Sequence, residues 1–164
     1  MADSRTALEI GKLALESGEL ASDFVLKDHE GKDFKLSNLK GKRVLLSFHP
    51  LAWTDICAKQ MQSLEYNIDT FATLNTIPVG LSVDSVPCKK AWAGHLGIKR
   101  VSLLSDFWPH GSVASMFGMF REKEGTSRRA NIVVGEDGKI KITKVYNISE
   151  LPDIQEIINL IRAL

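Results

Sequence analysis

The sequence predicts a single α/β domain in which helices flank a mixed central β-sheet. Its 164 residues fit one domain with a proper hydrophobic core. No internal repeat, low-complexity tract or long linker divides the sequence. Strand-like and helix-like segments alternate along it, and an antiparallel hairpin and a last helix follow. This order is typical of an α/β sandwich.

The first half of the chain predicts a hairpin followed by a strand, a helix and another strand. The segments are "DFVLKD" (23–28) and "DFKLSNL" (33–39) for the hairpin, "RVLLSF" (43–48), a helix over about residues 54–71, and "TIPVGLSVD" (76–84). A continuous apolar run such as "RVLLSF" indicates a buried strand. The helix is indicated by apolar residues at spacings of three and four, namely Met61, Leu64, Ile68 and Phe71.

The second half predicts a helix, a weaker strand and helix, a hairpin and a terminal helix. Ser85 and Pro87 open the first helix, and Gly97 closes it. The later segments are "VSLLSD" (101–106), "GSVASMFGMF" (111–120), the hairpin "ANIVVGEDGKIKITKVY" (130–146) turned at Asp137 and Gly138, and the amphipathic helix "LPDIQEIINLIRAL" (151–164). About residues 1–20 form an N-terminal extension to which the pattern assigns no structure.

The composition and the absence of several motifs exclude broad functional classes. With 21 basic and 20 acidic residues the net charge is only +1, so nothing electrostatic indicates nucleic acid or a membrane. No stretch approaches the roughly 20 apolar residues needed to span a bilayer, and the N-terminus lacks the apolar run of a secretory signal, so we expect a cytoplasmic protein. The four histidines lack metal-site spacing, and no nucleotide-binding loop occurs, so we expect no metal or other cofactor.

The predicted topology brings both cysteines and one arginine to the same edge of the sheet. The strand at 43–48 and the next strand are joined by a helix and should run parallel, so both end at one edge. Cys57 and Cys88 each lie in the first turn of the helix that leaves this edge, where open α/β sheets gather their ligand sites. If the strand at 130–134 enters antiparallel to its neighbours, Arg129 returns to the same edge.

Cys57 has the surroundings of a reactive thiol. A helix N-terminus and a neighbouring cation both favour thiolate, and the predicted position supplies both. Thr54 can direct its hydroxyl at the sulfur or at a substrate oxygen, and Pro50 can shield the pocket from water. The adjacent Asp55 opposes a thiolate. Taken singly, the residues also fit ordinary roles: an apolar filler for Cys57, an N-cap for Thr54 and a surface charge for Arg129.

The segment "PLAWTDIC", from Pro50 to Cys57, resembles the P-x-x-x-T-x-x-C active-site motif of the peroxiredoxins, and "RANIVV" from Arg129 resembles their arginine-bearing strand. The likeness covers nearly the whole chain, and within the family it is greatest to the alkyl hydroperoxide reductase E type. The resemblance implies a thioredoxin-like fold with Cys57 as the peroxidatic thiolate. It also implies that Thr54 and Arg129 polarise the peroxide and that Pro50 covers the sulfur.

Three positions depart from the family pattern. His49 stands where tyrosine or phenylalanine is common, Gln60 where glutamate is frequent, and Ser22 where proline is usual. The first two flank the pocket and bear on substrate preference and on the orientation of Arg129. The alternation of inward and outward side chains along the strand favours a packing role for His49. A general base is also not needed, because a thiolate that has already formed has no proton to lose.

Cys88 has two interpretations. Its place at the same sheet edge favours a resolving cysteine that forms an intrachain Cys57–Cys88 disulfide, because the family contains members with a second functional cysteine as well as one-cysteine members. The alternative is a helix-start residue tucked against the core. Packed helices stand roughly 8–10 Å apart and a disulfide needs Cα atoms within about 7 Å, so we expect separate thiols in the reduced protein.

The predicted function is a thiol-dependent peroxidase that reduces hydrogen peroxide or organic hydroperoxides through a Cys57 sulfenic acid. An external thiol reductant of thioredoxin, glutaredoxin or related type would regenerate the thiolate, and the resemblance suggests a homodimer. Two alternatives on the same fold remain open. A thiol–disulfide oxidoreductase normally relies on Cys-x-x-Cys, which Cys57 does not begin, and a redox-regulated holdase would not need Cys57.

Overall fold

The computed structural model describes residues 18–164. The strands of this part of the chain are β1 (Val25–Asp28), β2 (Asp33–Lys35), β3 (Arg43–Phe48), β4 (Thr76–Ser82), β5 (Ser102–Ser105), β6 (Phe120–Arg121), β7 (Thr126–Ser127), β8 (Arg129–Val134) and β9 (Ile140–Tyr146). The α-helices of the same residues are α1 (Asp55–Tyr66), α2 (Ile68–Thr73), α3 (Val86–Leu96), α4 (Ser112–Met116) and α5 (Ile154–Arg162). Strands and helices alternate through the centre of the chain, as predicted.

A mixed sheet of seven strands, in the order β2-β1-β5-β4-β3-β8-β9, forms the centre of the described chain. β4 pairs in parallel with both β3 and β5, whereas β8 is antiparallel to β3 and to β9. The predicted parallel pair and the antiparallel entry of the later strand are therefore confirmed. In the register of β3 and β8, Phe48 faces Ala130, which places Arg129 beside the carboxyl end of β3.

The sheet is covered on both faces, because alternate residues of each buried strand point to opposite sides. One layer joins the sheet to α1, α3 and α5; its members include Leu45, Cys57, Leu103, Trp92, Val133 and Ile158. The other layer joins the sheet to α4; its members include Val44, Leu46, Ile132, Val113 and Phe117. Cys57 thus lies between the helices and the sheet rather than on the surface.

Several predicted segments are shorter than their patterns indicate, and two of them have a clear local cause. The helix predicted over 54–71 is divided into α1 and α2 at Asn67, whose side-chain amide donates to the Ser63 carbonyl at 2.8 Å. Asparagine competes in this way with the backbone bonds of a helix. The second predicted hairpin strand ends early, because the chain turns into a 3₁₀ helix at Leu36–Leu39.

The boundaries of α3 follow the prediction. The Ser85 hydroxyl at the N-cap accepts from the Cys88 N–H at 3.4 Å, and a proline lies in the first turn. Gly97 ends the helix with a φ of 73°, a left-handed conformation that glycine adopts without steric cost. Cys88 is therefore fixed in the first turn of the helix that follows β4.

The sequence predicts an N-terminal extension over about residues 1–20, and residues 1–17 of it lie outside the described part of the chain. At its end, Leu20 forms an antiparallel bridge with Lys139. Within residues 18–164, no helix is both long and apolar enough to cross a membrane.

Candidate active site

Cys57 lies in the first turn of α1, which begins directly after the loop that leaves β3. Its side chain is only 1% exposed and packs in the layer between the sheet and the helices. The first turn of a helix presents unpaired backbone N–H groups and a partial positive charge, and both stabilise an anion. Cys57 thus occupies the helix position that the sequence predicts, and its role as a reactive thiolate stays a prediction.

Arg129 reaches the sulfur from β8. Its Nη1 atom lies 3.4 Å from Cys57 Sγ and 2.7 Å from Gln60 Oε1. Its Nε and Nη2 atoms donate to the Ile148 carbonyl at 3.1 Å and 2.8 Å. Because the side chain is 2% exposed and held on two sides, the alternative of a solvated surface charge is excluded. The structure thus brings together two residues that are 72 positions apart.

Gln60 is the residue that orients Arg129, a role that the sequence analysis left open. It lies one turn after Cys57 in α1 and is buried. Its amide nitrogen donates to Ser47 Oγ at 2.8 Å and to the Phe48 carbonyl at 3.2 Å, so its oxygen must face Arg129. An amide in this place holds the guanidinium without adding a negative charge beside the sulfur.

Thr54 and Pro50 lie in the loop between β3 and α1. Thr54 occupies the N-cap of α1 by its backbone, but its hydroxyl makes no capping bond and instead donates to the Leu51 carbonyl at 2.8 Å. The ordinary N-cap interpretation therefore holds for the backbone alone. Pro50 is buried at the start of the loop. The roles of both residues toward a peroxide remain predictions.

The loop is anchored to the end of β4 by Asp84. The Ala52 N–H and the Ser82 hydroxyl both donate to Asp84 Oδ2, at 2.8 Å and 2.6 Å. The next residue, Trp53, has a φ of 66°, which is unusual for a bulky side chain and costs on the order of 1–3 kcal/mol. The surrounding bonds hold this conformation and set the path into α1.

Cys88 is half-buried in the first turn of α3, and both cysteines are free thiols in the structure. Its sulfur lies 3.8 Å from Asp84 Oδ1. Burial and the negative charge of Asp84 raise the pKa of the Cys88 thiol. At neutral pH Cys88 is therefore protonated, and Asp84 is placed to accept its proton.

A buried lysine beside the site was missed by the sequence analysis. Lys89 follows Cys88 in α3, is 0% exposed and contacts His49 Nε2 at 3.3 Å. The His49 ring is itself fully buried and lies 5.4 Å from the Trp92 ring, in agreement with its predicted packing role. The sequence has two adjacent lysines here and does not reveal which of them is buried. In the structure Lys90 is the exposed one.

Among residues 18–164, no cluster of three or more histidine, cysteine, aspartate or glutamate side chains could hold a metal ion.

Comparison with known proteins shows the family. The model of the AhpC/TSA family matches residues 17–143. The chain belongs to this family. It is 36% identical to alkyl hydroperoxide reductase E of Mycobacterium tuberculosis over 140 residues, which cover 85% of this chain and 91% of that protein. It is 31% identical to peroxiredoxin-1 of Gekko japonicus over 156 residues, covering 89% and 77%.

Solved structures that are similar to this chain include a peroxidoxin and a 2-Cys peroxiredoxin. The crystal structure of peroxidoxin BcpB from Mycobacterium tuberculosis superimposes with a TM-score of 0.81 at 27% identity, covering 92% of this chain and 98% of that one. Reduced 2-Cys peroxiredoxin from Plasmodium vivax gives a TM-score of 0.81 at 26% identity, with coverages of 91% and 81%. The thioredoxin-like fold and the enzyme class of thiol-dependent peroxidase are thereby confirmed. These relatives favour neither alternative function.

Proposed function

We propose that Cys57 is the peroxidatic thiolate of this AhpC/TSA-family enzyme and that it reduces hydrogen peroxide and organic hydroperoxides. The observation that carries the proposal is the 3.4 Å contact between Arg129 Nη1 and Cys57 Sγ in a buried site. A guanidinium this close favours thiolate over thiol, and the first turn of α1 adds to the effect. Family membership supplies the class of reaction.

In the proposed step, the Cys57 sulfur attacks one oxygen of the peroxide. A sulfur–oxygen bond forms as the oxygen–oxygen bond breaks, the sulfur loses two electrons to the peroxide, and the leaving oxygen takes up a proton. Arg129 has five N–H groups, and four of them are used in the contacts to Cys57, Gln60 and Ile148. The remaining Nη2 N–H can donate to the oxygen on which charge develops.

Thr54 and Pro50 complete the proposed pocket. The Thr54 hydroxyl donates to the Leu51 carbonyl, so its lone pairs are available to accept from the peroxide O–H and orient it. Pro50 is buried and has no N–H to donate, which suits a wall that keeps water from the sulfur. Both roles are carried over from the family motif.

We further propose that Cys88 resolves the Cys57 sulfenic acid. Its thiol would attack the oxidised sulfur: a sulfur–sulfur bond forms as the sulfur–oxygen bond breaks, and Asp84 accepts the thiol proton and passes it to the leaving hydroxide, which departs as water and leaves an intrachain disulfide. The position of Cys88 in the first turn of α3 supports this role, as does the similarity to a 2-Cys peroxiredoxin. A thioredoxin, glutaredoxin or related reductant, a cytoplasmic location and a homodimer complete the proposal.

Stopped-flow mixing of the reduced protein with hydrogen peroxide, followed by Trp fluorescence, tests the proposal. Cys57→Ser should abolish the fast oxidation phase, whereas the matched variant Cys88→Ser should retain it. Arg129→Lys should slow it about tenfold or more, because a point charge cannot reproduce the planar fork. Arg100→Lys, which changes an exposed arginine paired with Asp69, is the matched control.

Two results would contradict the proposal. One is a fast phase that survives in Cys57→Ser. The other is reduction of insulin disulfides at a rate above that of peroxide turnover, which would favour a thiol–disulfide oxidoreductase instead.

A further inference from the structure

Lys89 is a buried cation that the proposed peroxidase mechanism does not use. Its ammonium group donates to Ser82 Oγ and contacts His49 Nε2 at 3.3 Å. Among the described residues, no carboxylate lies within salt-bridge distance of it. A buried ammonium without a direct anionic partner is unfavourable, so other charges in the interior must offset it.

His49 fixes the direction of the contact with Lys89. The Ser47 carbonyl can only accept, so His49 Nδ1 carries the hydrogen in their 3.4 Å contact. The other ring nitrogen of a neutral histidine then accepts from Lys89. Burial and the neighbouring Lys89 charge hold the pKa of His49 well below its ordinary value, so the ring stays neutral. Lys89 is therefore the member of the pair that carries the proton.

A series of buried polar contacts runs from Lys89 to Cys57. His49 contacts the Ser47 carbonyl, the hydroxyl of the same serine accepts from Gln60, and Gln60 contacts Arg129, which reaches the sulfur. All of these side chains are buried. A charge on Cys57 acts on Lys89 across this region, because the interior screens charges less than water does.

The groups that act electrostatically on Lys89 and His49 come from every element packed around them. Lys89 itself and Arg129 in β8 act on His49. Cys57 in α1, Asp84 after β4, Cys88 in α3 and Asp106 after β5 act on Lys89. Burial lowers the pKa of Lys89 from 10.5 to about 7, and Asp84, Cys88, Cys57 and Asp106 each oppose the fall when they are ionised. Of these groups, Cys57 is the one whose charge the first step of the proposed reaction removes.

We propose that Lys89 is a positioning residue that stabilises the Cys57 thiolate from inside the fold and releases its proton when that charge is lost. The inference rests on the proposed role of Cys57. The reduced site holds Cys57–S⁻ and Lys89–NH₃⁺. Reaction with ROOH gives Cys57–SOH, Lys89–NH₂ and ROH: the sulfur gains OH, the leaving alkoxide gains one proton, and the lysine gives one up. The Cys57–Lys89 pair thus carries no net charge before or after the step.

The first test observes Lys89 directly in protein that carries ¹³C at the lysine ε position. The Lys89 signal is assigned by its loss in Lys89→Met, and its pH titration is followed by NMR in the reduced wild type and in Cys57→Ser. Coupling is reciprocal, so removing the thiolate should move the Lys89 midpoint down by about half a pH unit or more. The Lys90 midpoint, in the same spectra, should not move. An equal Lys89 midpoint in both proteins would overturn the proposal.

The second test measures the reactivity of Cys57 without any peroxide. The rate of alkylation of the Cys57 peptide by iodoacetamide is followed by mass spectrometry from pH 5 to 9. In Lys89→Met the profile should move upward by about half a pH unit or more, while Lys90→Met should match the wild type. An unmoved profile in Lys89→Met rejects the role of Lys89, whatever the peroxidase assays show. Failure of Cys57→Ser to lose activity would reject the proposed function and leave this coupling standing.

Discussion

At the scale of single residues, the planar guanidinium of Arg129 is held in place by neighbouring groups on one side and contacts the Cys57 sulfur on the other. Two of its nitrogens donate to one backbone carbonyl, at Ile148, and the third is shared by Gln60 and Cys57. Because both sides of the fork are held by rigid or buried groups, little side-chain entropy remains to be lost when a peroxide binds. A lysine could occupy the same space but could make only part of this set of contacts.

Replacing Thr54 by valine tests the proposed role of its hydroxyl. The substitution keeps the shape of the side chain and removes the oxygen that orients the peroxide. We expect at least about a tenfold slower oxidation by hydrogen peroxide, since one hydrogen bond in the transition state is worth about 1.4 kcal/mol. The helix should be unaffected, because the hydroxyl makes no capping bond. Stopped-flow rates measure the effect, and near-normal rates would show that the hydroxyl is not used.

The residues of the site differ in how far the sequence reveals them. Cys57 and Arg129 are predicted, because the position of each at the end of an element follows from the order of strands and helices. Gln60 is visible only as a departure from a motif, and its contacts depend on the direction of an amide. Lys89 is not predicted, because which face of α3 is buried depends on packing against β4 and β5 rather than on the local pattern.

At the scale of elements, the first turns of α1 and α3 are weakly capped. The Thr54 hydroxyl does not cap α1, and the Ser85 hydroxyl accepts from the Cys88 N–H at the long distance of 3.4 Å. A good N-cap contributes about 1 kcal/mol, so both first turns lack part of the usual resistance to opening. The division of the first helix at Asn67 is likewise local chemistry that apolar periodicity does not register.

Treatment of the reduced protein with one equivalent of peroxide should produce a Cys57–Cys88 bond within one chain. A disulfide needs Cα atoms within about 7 Å, so bonding requires one or both weakly capped first turns to unwind. Alkylation followed by mass spectrometry detects the product, and Cys88→Ser should instead accumulate Cys57 sulfenic acid that dimedone traps. Persistent sulfenic acid in the wild type, with Cys88 still alkylatable, would indicate a one-cysteine enzyme resolved directly by an external thiol.

At the scale of the whole molecule, the buried lysine makes the free energy of unfolding rise with pH above neutrality. The pKa of Lys89 is about 7 in the folded protein against an ordinary 10.5. Between these values the unfolded chain binds a proton that the folded chain does not, so the free energy of unfolding rises with pH. Its slope approaches about 1.4 kcal/mol per pH unit. Below pH 7 the full cost of burying the ammonium is present.

Lys89→Met removes this dependence and so separates it from the titration of all other groups. We expect the variant to be more stable than the wild type at pH 6, and this difference to shrink by about 2–3 kcal/mol by pH 9, because the wild type regains stability as Lys89 is buried without charge. Urea unfolding of both proteins under reducing conditions at pH 6, 7.5 and 9 measures the difference. Lys90→Met, on the exposed side of the same helix, should follow the wild type throughout. Parallel stability curves for the wild type and Lys89→Met would mean that Lys89 keeps its charge at all three pH values.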